Sequence, residues 1–292
     1  MRFSDDNLGI STNIYVNPAD VIGMITAFSE KFSCIEIEIE SEFRTVYDKG
    51  GEELDRVIES LKSMKSEFGL RYTVHAPYIG QSCDIAAKDD AIRHQAVAYL
   101  NKCLEFCAAI GATKMTYHPG LIDPMENGLV PQIERLIDSA TAIATKARSL
   151  GIVPCLENMG DSRPKFLLLN HDQHEAVCRA SGTKLTIDLN HHASLLPQGA
   201  DGADELYYEL FFSSLKRILP YVAHFHIADI DGIRHVHLPL GKGRLDIQRV
   251  LSFIASNGYD GPVIVEERGG GYSAEEFVNQ AVHFRQMIQQ AA

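Results

Sequence analysis

Two hydrophobic rhythms alternate along this chain. Short runs of apolar or β-branched residues, some strictly alternating with polar ones, predict strands. Segments in which apolar residues return every three or four positions predict helices. Strands are expected at 10–15, 34–40, 72–76, 114–118, 152–157, 184–188, 222–228 and 262–266. Helices are expected at 51–68, 88–110, 130–150, 172–180, 204–219, 246–257 and 273–290, with a further one opening after Asn17. The 51–68 segment carries its stripe at Leu54, Val57, Ile58, Leu61 and Met64. Asn17 before Pro18 reads as a helix N-cap with proline at the first helical position. Gly111, Gly151 and Gly258 read as C-terminal stops. Ser273 and Glu276 form a capping-box pattern.

Eight strands in strict alternation with about eight helices imply crossover connections and parallel pairing. Eight such units close into a barrel more readily than they form an open sheet. No G-x-G-x-x-G follows the first strand, which counts against a doubly wound nucleotide-binding sheet. The expected fold is therefore α/β, a single (β/α)8 TIM barrel, with 1–292 forming one domain. The length of 292 residues is usual for that fold. Glu36, Glu38 and Glu40 alternate along the second strand. They could line the barrel or face solvent, and the solvent-facing reading is preferred here. Gly269-Gly-Gly271 reads as a loop after the last strand.

The strands share a second property. Six end in a potential metal ligand: His75, His118, Glu157, Asp188, His226 and Glu266. His191 follows Asp188 closely, and His235-Val-His237 lies beyond the seventh strand. A closed parallel barrel brings its strand C-termini to one face, where active sites of this fold sit. Mixed His and carboxylate sets suit Zn, Mn, Fe or Co. Glu157 and Glu266 each end an apolar strand, where a carboxylate is costly unless paired or metal-bound. His226 is preferred over His224 because it is nearer the strand end. His94, His171, His174 and His283 are expected at the surface, and His192 is left unassigned. Arg163, Lys165 and Arg268 follow ligand-bearing strands and would suit an anionic small substrate.

Composition narrows the field. Apolar residues make up 45% and charged residues 23%, ordinary for a globular chain. The net charge of −12 disfavours DNA as substrate, since phosphate neutralisation needs cations. No run could serve as a signal peptide or span a membrane. The expected location is cytoplasmic, and a homo-oligomer is compatible with everything above. Cys34, Cys83, Cys103, Cys107, Cys155 and Cys178 form no C-x-x-C pair and are expected as buried free thiols.

The segments His75-Ala-Pro-Tyr78, His118-Pro-Gly120, Leu156-Glu157-Asn158, Asp188-Leu-Asn-His191, His226-Ile-Ala-Asp229 and His235-Val-His237-Leu-Pro-Leu-Gly241-Lys-Gly243 resemble the xylose isomerase-like TIM-barrel superfamily. That group holds sugar and sugar-phosphate isomerases and epimerases, and the apurinic endonucleases. The resemblance covers nearly the whole chain. Its epimerase branch implies one metal held by Glu157, Asp188, His226 and Glu266. Its endonuclease branch implies further ligands, matched by His75, His118, His191 and His237. The fifth is an Asp in that branch and His235 here. Loss of that anion weakens a third cation site, so the expected load is one to three divalent ions.

The resemblance implies two chemistries. An isomerase or epimerase would bind a carbonyl oxygen and its neighbouring hydroxyl at the metal, with the resulting enediolate stabilised there. Glu157 and Glu266 would take and return the α-proton. A phosphodiesterase would clamp a phosphate between ions. Tyr78 is a candidate to fill the gap left by a flipped nucleotide, but the 79–84 segment after it is not basic. The preferred expectation is an isomerase or epimerase of a small sugar-like molecule. The alternatives are a dehydratase or other lyase on a polyol or cyclic hydroxy acid, an apurinic endonuclease-type enzyme, and a non-catalytic metal-binding protein.

Overall fold

The protein is described from a computed structural model covering residues 5–13, 21–78, 80–160, 166–167, 169–196, 205–231, 237–266 and 273–290. The chain runs β1 (Leu8–Ser11), α1 (Val21–Ser29), β2 (Cys34–Glu38), α2 (Ser41–Lys49), α3 (Glu52–Phe68), β3 (Arg71–His75), α4 (Asp90–Ile110), β4 (Lys114–Tyr117), α5 (Val130–Leu150) and β5 (Val153–Glu157). It continues with α6 (His171–Ser181), β6 (Lys184–Asp188), α7 (Leu189–Ser194), α8 (Glu205–Ile218), β7 (Val222–Ile227), α9 (Ile247–Ser256), β8 (Val263–Val265) and α10 (Ala274–Gln290). The strands pair in parallel and in sequence order, and β8 returns to β1 to close the barrel. The (β/α)8 barrel expected from the hydrophobic rhythm is thus the fold.

The helix punctuation acts largely as its residues dictate. Gly111 and Gly151 end α4 and α5 in left-handed conformation, at φ of 69° and 71°. The Ser273 hydroxyl accepts from the Glu276 amide, and the Ser273 amide donates back to the Glu276 carboxylate. The first strand begins at Leu8, earlier than its apolar run suggested, and Ile14, Tyr15, Asn17 and Pro18 lie outside the described residues. Two short helices, α2 and α7, were not expected. In α2 the fully buried residues are Phe43 and Tyr47, with Val46 packed beside them, a stripe of three positions in nine residues.

The alternating strand residues sort into two cores. One set, including Ile35, Ile37, Tyr72, Val74, Leu185, Ile187 and Phe225, belongs to the apolar layer shared with helix residues such as Leu100, Leu104, Leu136 and Phe211. The other set lines the barrel interior and is polar. Glu36, Thr116, Thr186 and His224 are wholly buried, and Thr73 nearly so. Thr73 donates to Glu36 Oε2 at 2.9 Å, and the Thr116 and Thr186 hydroxyls meet at 2.8 Å. This corrects the solvent-facing reading of β2. Glu36 and Glu38 are 0% and 5% exposed. Period two alone cannot tell a solvated face from a polar barrel interior, because both alternate with an apolar face.

All six cysteines are free and buried, as expected. His94 and His283 are exposed, but His174 is buried in α6 and His171 bonds the Ser214 hydroxyl at 3.0 Å. His192 is also buried, with Nε2 at 3.2 Å from the Phe211 carbonyl. No helix among the described residues is long and apolar enough to cross a membrane.

Burial pushes the His174 imidazole down to about 4. Between that value and the ordinary histidine range the unfolded chain binds the extra proton and the folded chain does not. Stability from this site is therefore complete at neutral pH and is lost as pH falls towards 4. At about 1.4 kcal/mol per pKa unit, the loss reaches up to about 3 kcal/mol. His174→Phe should make the fall in unfolding free energy between pH 6.5 and 4 shallower by that order, measured by denaturant titration across pH. An unchanged slope would contradict the assignment.

Candidate metal centre

The strand-end ligands meet at the C-terminal mouth of the barrel. His75, Glu157 and Asp188 are the last residues of β3, β5 and β6. His226 is the penultimate residue of β7, while His118 and Glu266 directly follow β4 and β8. All six are buried, none more than 7% exposed. Ligand atoms of Glu157, Asp188, His226 and Glu266 lie within 4.8 Å of one another. His226 Nδ1 is 2.9 Å from Glu266 Oε2 and 3.6 Å from Glu157 Oε1. On one side His75 and His118 each place Nε2 3.0 Å from Glu157 Oε2. On the other, His191 Nε2 and His237 Nε2 stand 3.6 and 3.8 Å from Asp188 Oδ2.

The backbone aims these rings. His75 Nδ1 lies 2.8 Å from the Ala76 carbonyl, His191 Nδ1 2.8 Å from that of Asn158, and His237 Nδ1 2.7 Å from that of Glu266. A carbonyl only accepts, so each Nδ1 carries the proton and each Nε2 faces the centre. Asp188 is oriented in the same manner. Its Oδ1 caps α7 by accepting from the Asn190 and His191 amides at 2.7 and 3.0 Å. The other oxygen, Oδ2, accepts no hydrogen bond among the described residues. The Asn158 side chain ties β5 to β6, donating to the Asp188 carbonyl and accepting from its amide. The Asp188-x-x-His191 spacing is thus an N-cap and the third residue of its helix, which sequence periodicity missed because α7 has only six residues.

Charge is concentrated here. Burial opposes ionisation of Glu157, but the imidazoles of His118, His226 and His75 outweigh it and hold the carboxyl well below the usual range. Glu266 is held down the same way, against burial, mainly by His226 and then His237. Burial also disfavours the His75 imidazolium, yet its bond to Glu157 and that group's charge raise it to about 10. For His118 burial prevails and pushes it down to about 4. A cluster that concentrates anions and partly protonated imidazoles in a dry space suits a cation in place of those protons.

His224 does not join this set. Its Nε2 points to Glu36 at 2.8 Å, deeper in the barrel. Glu36 also lies 2.8 Å from His226 Nε2, a contact that the preferred solvent-facing reading of β2 did not foresee. Tyr78, considered above as a nucleotide-gap filler, stacks on the His118 ring at 4.6 Å, with Phe166 edge-on to the same ring at 4.8 Å. His235, Arg163, Lys165, Arg268 and the 269–271 glycines lie outside the described residues.

The loop carrying His237 hangs on Asp229. Its Oδ1 accepts from the Ile230 and Leu245 amides at 2.8 and 3.0 Å, and its Oδ2 from those of Gly241 and Gly243 at 2.9 and 2.8 Å. Any Cβ on Gly243 would run into the Asp229 carboxylate. The Asp229 amide and carbonyl pair with Leu238, next to His237.

The family model described as the xylose isomerase-like TIM barrel matches residues 27–286. The chain belongs to that family. An uncharacterised protein of Methanocaldococcus jannaschii is 22% identical over 240 residues, covering 82% of this chain and 84% of that one. Among solved structures, a D-tagatose 3-epimerase-like protein matches with a TM-score of 0.77 at 19% identity, over 98% of this chain and 97% of the other. The 3-keto-D-glucoside 4-epimerase of E. coli matches at 0.71 and 18% identity, over 96% and 99%. Endonuclease IV of Thermus thermophilus matches at 0.70 and 17% identity, over 98% and 100%. At these identities the likeness is one of fold.

The residues present fit a divalent cation. The donors are imidazole and carboxylate, Asp188 Oδ2 and His118 Nδ1 accept or donate no hydrogen bond among the described residues, and three rings are pre-aimed by carbonyls. Asp229→Ala would strand four amides, of which those of Ile230 and Leu245 belong to buried residues. At about 1–3 kcal/mol for each buried group left unsatisfied, the loss should exceed about 2 kcal/mol. Chemical denaturation of the purified variant measures it, and a loss below about 1 kcal/mol would refute this role for Asp229.

Proposed function

We propose that this protein is a divalent-metal-dependent isomerase or epimerase of a small sugar-like substrate, organised as one domain. The observation that carries the reading is the pair of carboxylates, Glu157 and Glu266, converging on His226 with Asp188 in the same buried group. Those four would hold the principal ion. A bound cation supplies positive charge beside the oxygen that becomes anionic when an adjacent C–H bond is broken.

The protein's own groups do the rest. Glu157 and Glu266, both held ionised, can accept a proton at a carboxylate oxygen. Inversion of a carbon needs the proton accepted by one carboxylate to be replaced on the opposite face by one that the other carboxylate has taken up from water, whereas acceptance and return by one carboxylate across neighbouring carbons isomerises. The His75, His118, Tyr78 and Phe166 rings form a wall that keeps water from the reacting carbon on that side. Arg163, Lys165 and Arg268 are proposed as contacts for anionic or hydroxyl groups of the substrate. A dehydratase would share the proton abstraction and differ only in losing a β-hydroxyl. The epimerase-type solved structures support the sugar reading, as does the chain's net charge of −12.

One observation favours a second reading. The flanking sets His75–His118–Glu157 and Asp188–His191–His237 each offer a further cation site, as a multinuclear phosphodiesterase requires. The two readings separate cleanly. On a ketohexose panel with Mn²⁺, wild-type protein should exchange the α-proton into D₂O, and Glu157→Gln should lower that exchange by about 10²–10⁴-fold. Duplex DNA bearing an abasic site should stay intact with Zn²⁺. Full exchange in the variant, or efficient nicking, would reverse the assignment.

A further inference from the structure

The polar column beneath the ligand cluster holds a carboxylate with no evident catalytic duty. Glu36 is wholly buried, as are His224 and His226. Its Oε2 is satisfied from below and beside, by His224 Nε2 at 2.8 Å and by the Thr73 hydroxyl at 2.9 Å. Its Oε1 lies 2.8 Å from His226 Nε2, an ion-pair contact whose atoms are not aligned as a hydrogen bond. The opposite nitrogen of that ring, Nδ1, faces Glu266 and Glu157. A solitary buried carboxylate is costly, and a hydrophobic residue would fill a barrel interior more cheaply.

We propose that Glu36 is a positioning residue for the metal: its carboxylate, 2.8 Å from Nε2 of His226, draws the ring's proton to that nitrogen and thereby leaves Nδ1 for the cation. The inference rests on the function proposed above. A ligating imidazole needs its outer N–H engaged, and a carboxylate in that place makes the ring a stronger donor. The other histidines of the centre, His75, His191 and His237, engage backbone carbonyls with that nitrogen. His226 turns its outer nitrogen to a carboxylate that lies outside the ligand set, and it belongs to the four-residue group that would hold the principal ion. Thr73 and His224 keep Glu36 from rotating away, so the aim of His226 is set three side chains deep.

The test is the dissociation constant for Mn²⁺, by chelator competition, in wild type and Glu36→Gln. The expected weakening is about 10–100-fold, measured at a temperature where the metal-free variant is fully folded. Equal affinity in the two proteins overturns the role of Glu36 alone. A wild type that binds no divalent ion overturns the proposed function along with it. Should Glu36→Gln fail to fold, ¹¹³Cd–¹⁵N couplings in cadmium-loaded wild type decide the matter. Coupling through Nδ1 of His226 with a protonated Nε2 is expected, and coupling through Nε2 refutes the proposal.

Discussion

The structure depends on one electrostatic constraint: carboxylates and imidazoles in the barrel interior must neutralise one another. Barrels of this fold are usually filled by layers of branched apolar side chains. Here the β2, β3 and β7 contributions include Glu36, Thr73, His224 and His226, and the layer above adds His75, Glu157, Asp188 and Glu266. An unpaired charge at such depth would cost several kcal/mol. Each therefore lies near a group of opposite charge or a hydroxyl, while backbone carbonyls and amides set the directions of His75, His191, His237 and Asp188. The apolar layer between strands and helices supplies the burial that stabilises the fold, and the polar column uses part of it.

This division explains how scaffold and site coexist. The same strand residue alternation that sends Ile35, Ile37 and Phe225 outward sends Glu36 and His224 inward. Parallel registers then align strand ends: Glu38 is level with His75, and Asp188 with His226. Convergence of the ligands follows from closure of the sheet and owes little to the connecting segments.

Much of this was legible in the chain. The eight strands, the long helices and the strand-end ligands follow from local pattern, because apolar runs and terminal His or Glu are contiguous in sequence. Glu36 and Glu38 were not legible, since their alternation is identical whether the far side is water or a polar interior. His174 was misjudged for a related reason: a polar residue on a helix gives no sign of which neighbours cover it. The helix α7 escaped because its capping residue, Asp188, also ends a strand and its length is below two turns. His118 was legible as a strand-end residue, but its aromatic wall was not, since Tyr78 and Phe166 approach it from segments far apart in sequence.

The bonds from His75, His191 and His237 to main-chain carbonyls carry a consequence for how such a barrel can change over time. Each acceptor is a carbonyl at or just beyond a strand end, Ala76, Asn158 or Glu266, so ring direction is anchored to the sheet. Segments further out can be lengthened, shortened or exchanged without re-aiming the donors. The set of donors and the shape of the space above it are then inherited separately, and one unaltered donor set can persist while the outer chain changes what it admits.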